Sequence, residues 1–214
     1  MQKMAVLGCV GILFLVVVVA AIVGISGYNG LNTKSYDVDT KWANVQTQYQ
    51  RRNDLIGNLV NTVKGAAQFE QNTLTDVITA RSKATSVNID PSHAPTDPAQ
   101  LAAYQKAQGE LTGSLSRLLV TVEKYPELKA TQNFRDLQAQ IEGTENRIAV
   151  ARNDFNTSAQ AYNTARSAFP AVLYANAMGF REKPPFKADE GAQNAPNVNF
   201  DGAFGRTPAP SPGR

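Results

Sequence analysis

Ser92, His93 and Asp97 lie close together in VNIDPSHAPTDP, the stretch from Val87 to Pro98. A serine, an imidazole and a carboxylate could carry out acyl transfer, with Ser92 as nucleophile and His93 as base. Such a triad needs a rigid frame and a buried aspartate. This stretch holds Pro91, Pro95 and Pro98, which favour turns. The expectation is therefore a solvated loop histidine. Glu142 and Glu145 could share a metal, but di-metal bundles use Glu-x-x-His on two helices. The chain has one histidine and one cysteine, Cys9. A structural zinc site takes about four such ligands. EKYPELKATQNF, Glu123 to Phe134, gathers Glu, Lys and Tyr around a proline. It reads as a corner between two helices: Pro126 cannot continue the helix before it, and Thr131 can cap the one after it. Phosphate-loop, dinucleotide, zinc-protease and nucleophile-elbow motifs are missing from the sequence. The expectation is a non-enzymatic protein with no catalytic, cofactor-binding or metal-binding residues.

The polar residues that break otherwise apolar seams carry more information. Val38, Trp42, Val45, Tyr49, Ile56, Leu59 and Val63 recur at intervals of three and four, with Arg52 where an apolar residue is expected. Gln108 interrupts Leu101, Tyr104, Leu111, Leu115, Leu118 and Val122 in the same way. Glu145 and Arg152 flank the seam positions Thr144 and Ala151. An Arg52–Glu145 pair would fix the register of two helices. The alternative is that Arg52 snorkels to water. Arg52, Asp54, Glu145 and Arg152 form the set expected to serve structure or interaction.

These residues need long helices to position them. The rhythm predicts a first helix from about Lys34 to Ser86, on the order of 80 Å if unbroken, with bends allowed at Gly57 and Gly65. A second spans Ala99 to Lys124 and a third Gln132 to Phe169. A short fourth would cover Ala171 to Met178, after Pro170. Leu128 would plug the end of the core. The fold class is all-α: one N-terminal transmembrane helix, then an elongated antiparallel bundle of three long helices and a short fourth. Residues 1–27 would be the anchor and 28–179 the bundle. An extended docking segment, 180–200, would carry Phe180, Phe186, Val198 and Phe200, and a disordered tail would follow at 201–214.

Ala5 to Ile25 is apolar and uncharged over 21 residues, close to the roughly 20 that cross a bilayer as a helix. A cleaved signal peptide has a shorter apolar region. VLGC resembles a lipobox, but the apolar run continues far beyond Cys9. A retained single span fits best. The α-amine and Lys3 abut its start, whereas the nearest base beyond it is Lys34. This favours the N-terminus inside and the bulk of the chain extracytoplasmic (periplasmic). Gly8 and Gly11 would allow self-association, although their spacing is not G-x-x-x-G. The net charge of +3 is dispersed, so no nucleic-acid partner is expected.

EKYPELKATQNFRDLQAQIEGTENRIAVARNDFNTSAQAYN, followed by Phe169 and Pro170, resembles the LemA family. YNGL after the apolar run, RRNDLIGNLVNTVKGAAQFE from Arg51 to Glu70, and PNVNF at the far end carry the same resemblance. Gly57 stands where the family usually has proline, so a kink there is permitted and not imposed. Thr131 stands where asparagine is common, and either residue caps a helix. The resemblance implies a single-span membrane protein with an elongated helical bundle. It carries over no catalytic residues, and it points to work with membrane proteases and other envelope proteins. The expected function is a membrane-anchored interaction or scaffold protein, an adaptor for other membrane or envelope proteins. The alternative is a small-ligand or lipid sensor with a pocket between helices.

Overall fold

The computed structural model describes residues 2–65, 69–87 and 89–187. Helix α1 runs without a break from Gln2 to Lys64, 63 residues, or about 95 Å at 1.5 Å per residue. Among the described residues, the large apolar side chains between Ile12 and Ile25 are exposed. This stretch is long and apolar enough to cross a membrane. Beyond Tyr28 the same helix acquires a buried face: Leu31, Val38, Trp42, Val45 and Tyr49, then Ile56, Leu59 and Val63.

The first bundle helix, expected to continue to Ser86, ends at Lys64. A turn at Gly65 leads to a separate helix α2, Gln71–Ser86. Phe69 sits between them, buried against Tyr125 at 5.0 Å between ring centroids. The reversal lets Leu74, Val77, Ala80 and Ala84 join the same core from the other side. Helix α3 spans Pro98–Val122, with Pro98 in its first turn and the Asp97 carboxylate accepting from the Ala99 amide at 2.8 Å. A single turn, α4, Pro126–Lys129, buries Leu128 at the end of the core. Helix α5, Gln132–Ser167, begins at Thr131, whose hydroxyl accepts from the Phe134 amide. The region expected as a short fourth helix is a 3-10 turn, Ala171–Leu173, followed by further turns to Gly179. An extended strap, 180–187, returns along α5.

Cross-helix bonds set the directions. Ser158 meets Asp37 and Glu145 meets Arg52, so α5 is antiparallel to α1. Tyr104 meets Gln46 and Gln108 meets Arg52, so α3 is parallel to α1. With α2 reversed, the bundle alternates up, down, up, down. The small residues Ala151, Ser158 and Ala159 of α5 are buried against α1 and allow the two helices to approach closely.

The core forms two clusters. The one nearer the apolar end of α1 is aromatic and includes Trp42, Tyr104, Phe155, Tyr162, Phe180 and Phe186. Trp42 packs against Tyr104, Phe155 and Phe186 at 5.6–6.1 Å, and its indole N–H donates to the Asp90 carbonyl at 3.0 Å. Burying a side chain of this size contributes about 2–3 kcal/mol. The far cluster is mainly aliphatic: Leu55 to Val63, the buried face of α2, Leu111 to Val122, Phe134 and Ile141. Val198, Phe200 and the tail 201–214 lie outside the described residues.

Candidate functional site

The two core clusters meet at a polar layer centred on Arg52, which is 2% exposed. Its Nη1 donates to Glu145 Oε1 at 3.1 Å and Oε2 at 3.4 Å on α5, and to Thr112 Oγ1 at 3.0 Å on α3. Its Nη2 donates to the side-chain oxygen of Gln108 and, at 3.5 Å, to its carbonyl. Gln108 Nε2 donates in turn to the Ala84 carbonyl at 3.3 Å, near the end of α2. One guanidinium thus links all four long helices of the bundle.

The surroundings suit a cation. The Tyr49 ring lies 5.0 Å from the Arg52 guanidinium carbon. Tyr104 meets Tyr49 edge-on at 5.4 Å and donates its hydroxyl to Gln46 at 3.1 Å. Burial, with Tyr49 alongside, pushes the Tyr104 phenol well above its ordinary range, and Arg52 offsets this only in part. Tyr104 is therefore a neutral donor at any physiological pH. Nε of Arg52 has no partner among the described residues.

The sequence seams show Arg52 and Gln108 as separate interruptions. The fold brings them together, so each answers the other's buried polarity. Asp54 lies apart from this layer: it is exposed and accepts from Gln50 within α1 at 3.0 Å. Arg152 also lies elsewhere, with its guanidinium 4.9 Å from the Phe186 ring and bonded to the Lys187 carbonyl at 3.1 Å.

A second buried charge escaped the sequence reading. Lys183, 6% exposed, donates to Asp39 Oδ1 and to the Ala94 carbonyl, both at 3.1 Å. The Ala94 amide donates to the same Asp39 oxygen at 2.8 Å. This clasp ties α1, the α2–α3 loop and the strap together. Asn163 pairs with both backbone groups of Lys183, and Asn156 with both of Phe186. The available signal was Asp39 flanking the seam position Val38, the same signature that marks Glu145.

The loop candidates take structural roles. His93 Nδ1 lies 3.2 Å from Asp90, and the Ser92 amide donates to Asp90 at 2.8 Å. The amide bond, with His93 beside it, holds the Asp90 carboxyl below its usual range. Asp97 caps α3 and does not orient His93. Among the described residues no group of three or more His, Cys, Asp or Glu could hold a metal.

Comparison with known proteins places these features in a family. Residues 41–200 match the LemA family. The chain is 26% identical to magnetosome protein MamQ 2 of Paramagnetospirillum magneticum over 75% of this chain and 64% of the relative. It is 27% identical to magnetosome protein MamQ of Magnetospirillum gryphiswaldense, over 72% of this chain and 62% of the relative. It is 23% identical to protein LemA of Metamycoplasma hominis, over 68% and 62%. The chain therefore spans somewhat less than two thirds of the length of these relatives.

Proposed function

The chain belongs to the LemA family, and from that premise we propose that it is a membrane-anchored helical scaffold that engages other membrane or envelope proteins without catalysing a reaction. The carrying observation is the continuity of α1. One helix includes both the exposed apolar segment and the central strut of the bundle, with no hinge at Ser26–Gly30. A bundle built this way stands at a fixed height and orientation above the bilayer. It presents helix faces to partners, whereas a flexible tether would not. The outer faces carry single apolar residues amid polar ones, such as Val150 on α5 and Val120 on α3. The charge next to the start of the span supports an extracytoplasmic bundle.

We also propose that the Arg52 layer fixes helix register. A buried ion pair contributes little net stability compared with apolar packing, but it penalises any slip that separates the partners. Here a slip of α5 along α1 would separate Glu145 from a guanidinium that is almost wholly buried.

Proximity labelling in cells tests the scaffold reading, with the full-length chain compared to one lacking residues 1–26. The expected result is a small set of membrane proteins labelled only by the anchored form. Equal labelling by both forms, or no specific labelling, would count against it.

A further inference from the structure

We infer that the loop 168–179 is a second membrane contact, an apolar foot that rests in the lipid interface beside the point where α1 leaves the bilayer. The inference rests on the reading of α1 as a membrane span. Phe169 is 81% exposed and Leu173 73%, with Met178 at 55% and Val172 at 49%. Elsewhere on the described part of the bundle, exposed large apolar side chains occur singly, as is ordinary for a water-facing surface. Four within ten consecutive residues is a patch.

The height of the loop on α1 identifies what covers the patch. The Tyr174 hydroxyl lies over Gly27, in space that any Cβ there would occupy. Tyr28 packs edge-on against Phe180 at 5.4 Å. The loop is thus held level with residues 27–28, and the apolar run ends at Ile25. Two residues of helix rise separate these levels by about 3 Å. Apolar side chains at the headgroup boundary commonly enter it by roughly 5–10 Å, so the exposed side chains of this loop fall within reach of lipid.

The rest of the loop suits that position. Ala171 and Ala175 are buried against the bundle, which turns the apolar side chains outward. Arg166 holds the loop, donating to the Phe180 carbonyl at 2.8 Å and to the Asn176 side chain, and Arg181 is exposed just beyond. Arg181 lies where anionic headgroups would meet it. With α1 and the foot both in lipid, the bundle would be fixed in tilt and rotation as well as in height.

The test is spin-label accessibility in the full-length protein, reconstituted in phosphatidylcholine–phosphatidylglycerol vesicles. Cys9→Ser provides the background, and single labels go at Leu173→Cys, Phe169→Cys, Val17→Cys and Val150→Cys. Oxygen partitions into lipid and a nickel chelate stays in water. The expected result is that labels at 173, 169 and 17 relax preferentially with oxygen, and the label at 150 with nickel. A lipid-exposed 17 with 169 and 173 relaxed by nickel would overturn the foot and leave the span intact. Labels at 169 and 173 shielded from both reagents would mean protein contact, and would overturn the lipid assignment. Water exposure at 17 would remove both readings.

Discussion

The polar layer gives the sharpest energetic prediction. Glu145→Ala removes two hydrogen bonds to a charged guanidinium, at 3.1 and 3.4 Å. Bonds to charged groups contribute about 1.5–3 kcal/mol, and breaking a fully buried pair costs about 3–5 kcal/mol. Glu145 is 34% exposed, and Arg52 keeps Thr112 and Gln108, so the expected loss lies at the lower end, about 2 kcal/mol. For a chain of this size that lowers Tm by about 4–8 °C. Glu142, one turn away and accepting from Gln138 within α5 at 3.0 Å, is the control: Glu142→Ala should cost less than about 0.5 kcal/mol. Thermal unfolding followed by circular dichroism in detergent micelles measures both. A cycle with Arg52→Met should give a coupling energy of about 1–2 kcal/mol. If Glu145→Ala and Glu142→Ala are alike, or the coupling is below about 0.5 kcal/mol, the layer does not hold α1 to α5 and the register argument fails.

The remaining predictions concern other parts of the bundle. Lys183→Met leaves Asp39 and the Ala94 carbonyl without their cation, so it should cost about 3 kcal/mol and speed amide exchange across 180–187; a loss under about 1 kcal/mol would show that the clasp is dispensable. Burial also raises the Tyr162 phenol, so Tyr104 and Tyr162 should hold their protons while the unfolded chain loses them near pH 10. Stability should then fall as pH rises past about 10, and ultraviolet titration should show these two ionising at higher pH in the folded than in the unfolded chain; ionisation of Tyr104 and Tyr162 at the same pH in both states would contradict this. Gly27→Leu should displace Tyr174 and accelerate exchange in 171–179 with the bundle's melting unchanged, and unaltered exchange there would show that the loop does not depend on Gly27.

The sequence made the helices and the corner at Pro126 legible because each leaves a local mark. Thr131 caps the helix expected of it, Leu128 plugs the core end, and Arg52 interrupts a seam. A bend at Gly65 was allowed by the sequence, but the full reversal into a separate helix was not legible. Val63 and Leu74 keep the three-four rhythm across it, because both helices of a hairpin face one core and periodicity carries no direction. For the same reason the sequence suggested three long bundle helices where α2 is in fact separate from α1. The Arg52–Glu145 pair could be conceived from seam positions, since both residues lie on or beside a buried stripe. The Gln108 partnership and the Lys183–Asp39 clasp could not, because each depends on a helix crossing and a strap path that no local pattern records. Lys183 sits beside Pro184 and Pro185 in a stretch without helical rhythm, where burial leaves no periodic trace.

The most direct test of the scaffold account is site-specific photocrosslinking in living cells from Val150, on the outer face of α5, in the full-length chain. The account predicts a discrete adduct with another membrane or envelope protein that disappears when residues 1–26 are removed. An adduct that persists without the anchor, or none from Val150 and Val120 alike, would contradict it.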